Sequence, residues 1–141
     1  MNLKVFIDTD VIISSLISET GAASFLISES NVVRFISNVS KEEAHEVAEK
    51  LQLDEAELGK RLNKRFSKIL LKESLPDIKR KYEKYVLDID DAHIVAGAMM
   101  GKVRFLITYN IKDYRRDKIK EELGILVMRP AQFLQYLRSL K

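Results

Sequence analysis

The sequence of 141 residues contains no cysteine and only two histidines, His45 and His93. The absence of cysteine excludes disulfide bonds, thiol nucleophiles and cysteine-ligated metal sites. Two histidines are too few for us to expect a metal site built from several histidines. No apolar run reaches the roughly 18 to 20 residues of a membrane-spanning helix, and no charged segment precedes an apolar one as in a signal peptide. We therefore expect a cytoplasmic protein with no membrane partner.

Glycine and proline, the usual residues of linkers, are also scarce, with five and two residues. No Gly/Ser linker, internal repeat or low-complexity segment interrupts the chain. An apolar content of 46% is enough for a hydrophobic core at this length. We expect residues 1–141 to form a single domain.

Acidic and basic residues are unevenly distributed. Residues 1–59 contain 4 Lys and Arg against 11 Asp and Glu, whereas residues 60–85 contain 10 against 3, although the formal net charge of the chain is only +3. A cluster of carboxylates beside a surface that attracts polyanions would give this distribution, and so would ordinary solvated helices. Charge alone does not decide the function.

The segment Val5–Ile13 places two aspartates, Asp8 and Asp10, directly after an apolar run. This pattern indicates a buried strand that ends at the edge of a sheet, where open parallel α/β sheets bind their ligands. Either aspartate could also act as the N-cap of the helix that follows. The segment alone leaves both explanations open.

Strand and helix patterns alternate along the rest of the chain. Further strands are predicted at 32–37, 103–107 and 125–128, with helical segments before, between and after them. Such alternation predicts an α/β fold with three layers, α/β/α, around a central parallel sheet. The helices between the second and third predicted strands form a helical arm.

One predicted helix in this arm carries a basic face. Apolar residues recur at helical spacing from Leu58 to Ile69, while Lys60, Lys64 and Lys68 repeat every four residues. One face is therefore expected to pack on the core and the other to remain in solvent. The basic face would suit the backbone of a nucleic acid, because phosphate contacts position a polyanion without reading its sequence.

Glu43 has two competing explanations. The segment Ser40–Glu43 has the capping-box pattern of Ser followed three residues later by Glu, in which the glutamate reaches back to the amide of Ser40. Under the parallel-sheet prediction, the same residue begins the helix after the second strand and lies near the edge reached by Asp8.

Four acidic segments are expected to lie at or near that edge: Asp8, Glu43, Asp91 and residues 108–113. Carboxylates brought together repel and desolvate one another, which costs several kcal/mol unless a cation neutralises them. A hard divalent ion with oxygen ligands is the natural partner of such a cluster. Each segment also has a structural explanation as a helix cap or first-turn residue.

Four motifs occur in a characteristic order and spacing: Phe6–Ile12, Ser37 followed by Glu43, Asp88–Ala98 and Leu106–Tyr114. Together they resemble the PIN-domain ribonucleases over nearly the whole chain. The resemblance implies a parallel sheet of about four or five strands and a Mg²⁺ or Mn²⁺ site that hydrolyses the phosphodiester bonds of RNA. Many single-domain members, of the VapC type, are toxins of toxin–antitoxin pairs and form dimers, so an antitoxin and a second copy of the chain become expected partners.

By position, the resemblance implies that Asp8, Glu43 and Asp91 are metal ligands and catalytic acids. Many members carry a fourth aspartate where this sequence has Asn110, and Asp113 is then expected to supply that catalytic carboxylate.

The same resemblance implies substrate contacts outside the acids. Thr108 and Asn110 are expected to hydrogen-bond the RNA, and the basic residues Lys60, Lys64 and Lys68 to contact its backbone.

Two alternatives to a ribonuclease remain. A degenerate PIN module would bind RNA or a partner protein without cleavage. The segment Asp8–Asp10 also resembles the nucleophile pair of haloacid-dehalogenase-like phosphatases, with Thr108 in their second motif. Those enzymes place their acidic pair after the Thr and Lys motifs, whereas Asp90–Asp91 comes before Thr108.

Overall fold

The computed structural model describes residues 2–140 and contains a five-stranded parallel sheet. In chain order the strands are β1 (Leu3–Ile7), β2 (Val32–Ser37), β3 (Phe66–Ile69), β4 (Phe105–Ile107) and β5 (Leu126–Met128). They lie in the order β3-β2-β1-β4-β5, and every neighbouring pair is parallel. The strand order reverses between β1 and β4, which is where folds of this kind form a ligand crevice.

Helices cover both faces of the sheet. They are α1 (Thr9–Ile17), α2 (Ala22–Ser28), α3 (Asn38–Lys50), α4 (Glu55–Arg65), α5 (Leu75–Tyr82), α6 (Ala92–Met100), α7 (Arg116–Leu123) and α8 (Pro130–Ser139). One hydrophobic core involves α1 to α4 and α8, and a second involves α5 to α7. This arrangement confirms the predicted three-layer α/β/α fold. Within residues 2–140 no single helix is long and apolar enough to cross a membrane, and α1 and α2 reach that length only as a pair bent by 103°.

The packing of α6 on the sheet fixes the position of Asp91. Residues Ala92–Ala98 are buried, and a Cβ atom at Gly97 would overlap the ring of Phe6 in β1. The backbone of α6 therefore approaches the central strand more closely than a larger residue would permit. Asp91, the residue before α6, is held beside the carboxyl end of β1 as a result.

The structure corrects one predicted helix in the arm between β2 and β4. The helix predicted over residues 58–69 ends at Arg65, and Phe66–Ile69 form the edge strand β3. The guanidinium of Arg34 in β2 donates from Nε to the carbonyl oxygen of Arg65 at 2.9 Å, and β3 then pairs with β2. Only the first and last residues of β3 are buried, a pattern that fits the helical period, so tertiary pairing decides the structure.

Of the two explanations of Glu43, the structure does not support the capping box with Ser40. The helix α3 begins earlier, directly after β2, and the hydroxyl of Ser37 caps it by accepting a hydrogen bond from the amide of Ser40 at 3.0 Å. Ser40 therefore lies inside the first turn and is fully buried. Glu43 plays no part in the cap, and its side chain is available for contacts at the end of β1.

Candidate active site

An open cleft of about 450 Å³ lies at the carboxyl ends of β1 and β4. Its polar lining consists of Asp8, Thr9, Asp10, Ser14, Glu43, Asp91, Asn110 and Asp113, and its apolar lining of Ile13, Ile17 and Val47. The structure thus brings together the four acids that were expected to be catalytic and, beside them, Asp10, which the sequence analysis placed with Asp8 at the edge of the sheet.

Asp8 follows β1 and is the most enclosed acid of the cleft, with 7% of its surface exposed. Its Oδ1 accepts a hydrogen bond from the Thr9 amide at 2.7 Å, so Asp8 does cap α1. Its Oδ2 accepts two more, from Thr108 Oγ1 at 2.9 Å and from Tyr114 Oη at 2.8 Å. Burial raises the pKa of Asp8, and these hydrogen bonds to the ionised form oppose the rise. The cap and the edge position, predicted as alternatives, coexist in this residue.

Asp10 lies in the first turn of α1. Its Oδ2 accepts hydrogen bonds from the Tyr109 amide at 3.0 Å and from Thr108 Oγ1 at 3.3 Å. Its Oδ1 is buried and has no hydrogen-bond partner in the part of the chain that the structure describes. Burial, and next the charge of Asp8, raise the pKa of Asp10 to about 7. A cation or a proton would satisfy this carboxyl group.

Glu43 projects from α3 and is anchored at both carboxylate oxygens. Thr9 Oγ1 donates to Oε1 at 2.6 Å, and His93 Nε2 lies 3.2 Å from Oε2. His93 itself is buried in α6. Burial acts to raise the pKa of Glu43, but the contacts with His93 and Thr9 outweigh it and hold the pKa below its usual range. Glu43 therefore stays ionised at neutral pH.

Asp91 stands at the start of α6, and its side chain makes no capping hydrogen bond. Burial raises the pKa of Asp91 to about 7, and the charges of Asp8, Asp88 and Asp113 add to the effect. Asp113 lies in the short 3-10 turn after β4, where it forms part of the cleft wall. Because repulsion reaches Asp91 from several acids, the cleft behaves as one electrostatic cluster.

The donor chemistry of this cluster suits a hard divalent cation, because its acids and amide offer oxygen ligands. Within residues 2–140, no three Asp, Glu or His side chains are close enough together to form a ready-made metal cage. Mg²⁺ does not require one, because it usually keeps several waters and takes one or two carboxylates from the protein. The raised pKa values of Asp10 and Asp91, and the unpartnered Oδ1 of Asp10, mark where positive charge would relieve the cluster. The residues therefore fit a hydrated cation.

Thr108 and Asn110, the predicted substrate contacts, have different environments. Thr108 is fully buried, and its hydroxyl donates toward Asp8 and Asp10 and accepts from the Asn110 amide at 3.1 Å. The burial of Thr108 corrects its predicted role, because a hydroxyl engaged with two aspartates positions them and does not reach a substrate. Asn110 is exposed and its side chain lines the cleft.

The lysines predicted to contact RNA do not line the acidic cleft. Lys60 and Lys64 lie on α4 and border a separate concavity of about 500 Å³ between α2 and α4. Lys68 belongs to β3, where its Nζ donates to Asn63 Oδ1 at 2.7 Å. The prediction that three lysines share one helix face is therefore wrong for Lys68, and only Lys60 and Lys64 lie on the same helix.

Three residues of the site were missed by the sequence analysis: Thr9, His93 and Tyr114. Each lies inside one of the motifs that carry the family resemblance, which was the available signal. Their roles depend on which strands and helices meet, since Thr9 and His93 contact Glu43 across 34 and 50 residues of sequence.

The PIN domain family model matches residues 4–112, a segment that includes Asp8, Glu43 and Asp91. The chain belongs to the PIN domain family. Membership confirms the resemblance drawn from the motifs and removes the phosphatase alternative. Asp113 follows directly after the matched residues. Among curated proteins, none matches the sequence.

Several solved structures contain a chain with a similar fold. VapBC-1 of nontypeable Haemophilus influenzae is 17% identical with a TM-score of 0.62, over 92% of this chain and 99% of that one. VapBC2 of Rickettsia felis, bound to a DNA fragment from their promoter, is 14% identical with a TM-score of 0.61, over 90% and 98%. PAE2754 of Pyrobaculum aerophilum is 14% identical with a TM-score of 0.58, over 97% and 90%. At these identities the likeness establishes the fold, and function has to be argued from the cleft.

The raised pKa values predict how the stability of the metal-free PIN protein depends on pH. A carboxyl whose pKa is raised by folding binds its proton more tightly in the folded state, so its stabilising effect is present at low pH and is lost as the pH rises. For Asp10 and Asp91 this loss falls between their ordinary value of 3.8 and about 7. We expect the thermal unfolding midpoint in chelator to fall as the pH is raised from about 5 to about 7.

The matched comparison is the Asp10→Asn/Asp91→Asn double variant, which removes both titrations and should show a flatter profile of unfolding midpoint against pH. Parallel profiles for the wild type and the variant would show that folding does not raise the pKa of these two acids.

Proposed function

We propose that the chain is a divalent-metal-dependent endoribonuclease, which hydrolyses RNA phosphodiester bonds, and that residues 1–141 act as one nuclease domain. The observation that carries this proposal is the gathering of five carboxylates in one cleft, where burial and repulsion raise the pKa of Asp10 and Asp91 to about 7. A cation stabilises such a cluster and also provides a positive charge that can bind a phosphodiester group. Membership of the PIN domain family supports nuclease activity.

Asp8, Glu43 and Asp91 are the residues that would hold Mg²⁺ or Mn²⁺. When bound, such an ion supplies Lewis-acid activation of water and neutralises charge that develops on the phosphoryl group. Asp8 is the fixed point, because three hydrogen bonds hold its carboxylate in one orientation. Glu43 stays ionised and can accept a hydrogen bond or a proton from the attacking water. Asp113 and Asn110 would orient that water and the substrate from the wall after β4.

Metal binding is the first test of this function. Calorimetric titration with Mn²⁺ should show binding to the wild type that the Asp8→Asn and Asp91→Asn variants lose while they remain folded. Cleavage of a single-stranded RNA should fall by more than about 100-fold in both, since even residues that only support a metal ligand cost roughly 10- to 100-fold when changed. Unchanged Mn²⁺ binding by both variants would exclude this cleft as the metal site.

Glu43→Gln separates a role at the metal from a structural role. The change removes the negative charge but keeps the size of the side chain and an oxygen that can accept from Thr9 Oγ1. We expect the unfolding midpoint to move little and RNA cleavage in Mn²⁺ to fall by about 100-fold or more, because misplaced catalytic groups cost this much.

Two control variants belong to the Glu43 experiment. Glu42→Gln removes the same charge from an exposed neighbour on α3 and should leave cleavage unchanged. Ser37→Ala removes the true cap of α3 and should cost roughly 1 kcal/mol of stability while sparing the chemistry. If Glu43→Gln cleaves RNA nearly as well as the wild type under conditions in which Asp8→Asn is inactive, Glu43 has only a structural role, through its contacts with Thr9 and His93.

Lys60 and Lys64 are proposed to contact the RNA backbone outside the cleft, with Lys68 as a separate contact on β3. Both α4 lysines are exposed, and α4 stands against α1, because Arg61 Nη1 donates to the Ser15 carbonyl at 2.7 Å. Lys60→Gln/Lys64→Gln should make the salt dependence of binding to a long single-stranded RNA shallower by about 1.4 in log–log slope, since each phosphate contact contributes about 0.7. A slope equal to that of the wild type would show that the pair is only a solvated helix face.

The finer form of the proposal is a cytoplasmic toxin that acts as a homodimer and is inhibited by an antitoxin protein. Two of the similar structures are VapBC complexes, which supports this assignment. Ile17 at the cleft and Phe25 on α2 are 64% and 58% exposed, and they offer apolar surface to a protein partner. Co-purification with the product of the adjoining reading frame tests the antitoxin, and light scattering tests the dimer.

A module that binds RNA or protein without cutting is the second candidate. The observation that favours it is the spacing of the acids, since no three acidic or histidine side chains of residues 2–140 form a metal cage. RNA binding that persists without any cleavage across Mg²⁺ and Mn²⁺ concentrations would select this alternative.

A further inference from the structure

A basic concavity of about 520 Å³ lies next to the acidic cleft, on the side of Asp113. Its lining consists of Lys84, Arg115, Arg116, Asp117 and Lys118, that is, four basic side chains and one acid. The sequence analysis did not select the two arginines or Lys118, and no role in the cleft accounts for them. We call this surface the basic concavity.

The two sites are joined by four consecutive residues. Asp113 forms part of the cleft wall, and Tyr114 turns inward so that its Oη donates to Asp8 Oδ2 at 2.8 Å. Arg115 and Arg116 follow immediately and line the basic concavity. Since consecutive Cα atoms are about 3.8 Å apart, the Cα of Arg115 lies within about 7.6 Å of that of Asp113. The distance is short enough for one nucleic-acid strand to touch both sites.

The connection between the sites is held by backbone hydrogen bonds. The Leu87 amide donates to the Asp113 carbonyl at 2.8 Å, and the Arg115 amide donates to the Tyr85 carbonyl at 2.9 Å. Val86 and Tyr114 form an antiparallel bridge between these two bonds. A strand of substrate bound in the basic concavity would therefore keep a constant alignment with Asp8.

The side chains of Arg115 and Arg116 form no cap and no ion pair among residues 2–140. They stand at the N-terminal end of α7, where the helix dipole makes positive side chains unfavourable, and Arg115 makes no side-chain cap. Neither guanidinium takes part in an ion pair among residues 2–140, whereas Lys84 and Lys118 both pair with Glu122. Two exposed guanidinium groups remain available for an anion, and their planar donors match a phosphate in bidentate fashion.

We propose that the basic concavity binds the sugar-phosphate backbone of the RNA next to the bond that is cut, with Arg115 and Arg116 as the principal contacts. The inference rests on the proposed ribonuclease function and names the path of its substrate. An acidic protein segment would meet the same arginines, but continuity with a cleft built to bring a cation to a phosphate favours RNA. Contacts of this kind position the strand without selecting its sequence.

The test compares two double variants of equal charge. Arg115→Gln/Arg116→Gln removes the proposed contacts. Arg104→Gln/Arg138→Gln removes two exposed arginines, one directly before β4 and one in α8. Both lower the formal net charge of +3 by two, so a difference between them is local. The probe is a labelled oligouridine of about 12 nucleotides, within the site size of single-strand binders, in chelator and at salt concentrations from about 50 to about 200 mM.

We expect the Arg115/Arg116 variant to bind the oligouridine several-fold more weakly at low salt, with a log–log salt slope shallower by about 1.4, because two contacts at about 0.7 each are lost. The Arg104/Arg138 variant should keep the slope of the wild type. In Mn²⁺ the KM for the same RNA should rise several-fold in the Arg115/Arg116 variant while kcat changes less than about two-fold, as expected for contacts that only bind and position the strand.

The outcomes separate this inference from the function on which it rests. If the wild type binds and cleaves the RNA and the Arg115/Arg116 variant has the same slope and KM, the basic concavity is not the RNA path although the ribonuclease function stands. Displacement of the RNA by an oligoglutamate of equal charge at equal concentration would assign the concavity to an acidic protein instead. A wild type that neither binds nor cleaves RNA would overturn both proposals.

Discussion

A carboxylate enclosed at the end of a central strand needs hydrogen-bond donors, because burying it without them costs several kcal/mol. For Asp8 the donors are the amide of the next residue and two hydroxyls, from Thr108 and Tyr114, which lie 100 and 106 positions away in the sequence. These hydroxyls reach Asp8 because β4 pairs directly with β1. The hydrogen bonds of Asp8 therefore depend on the pairing of β1 with β4. Changes that shift β4 against β1 would disturb the cleft before they unfold the protein.

The acids around Asp8 divide into two electrostatic classes. Glu43 has a lowered pKa because Thr9 and His93 compensate its burial, whereas burial and neighbouring charge raise the pKa of Asp10 and Asp91 to about 7. Acids whose environments push their pKa values apart are typical of catalytic sites, because one carboxyl can then stay ionised while another holds a proton. In the metal-free cleft, Asp10 and Asp91 are thus partly protonated near pH 7, and a bound cation would displace these protons.

The sequence predicted the parts of the structure that depend on a repeated local pattern. Asp8, Glu43 and Asp91 share a cleft because parallel strands end at one edge, and this follows from the alternation of strands and helices. The helix predicted over residues 58–69 is wrong for its last four residues, which form β3. Their apolar first and last residues fit the period of a helix as well as that of a short strand, and only the pairing with β2 distinguishes the two structures. The contacts of His93 with Glu43 and of Tyr114 with Asp8 could not be predicted, because they join elements distant in the sequence.

The uneven charge of the sequence acquires a spatial meaning in the fold. The acidic N-terminal part supplies Asp8 and Glu43 to the cleft, whereas the neighbouring concavity takes Lys84 from the basic segment 60–85 and its other three basic residues from residues 115–118. A polyanion would be attracted to the basic concavity and repelled by the cleft next to it. Because the Debye length is about 10 Å at 0.1 M salt, the salt does not screen out either interaction at such short range. Under the proposed function, a strand could then bind beside the cleft without a cation but could enter it only with one. RNA affinity and RNA cleavage would therefore depend on the divalent ion to different degrees, because Arg115 and Arg116 determine the affinity and the acids determine the cleavage.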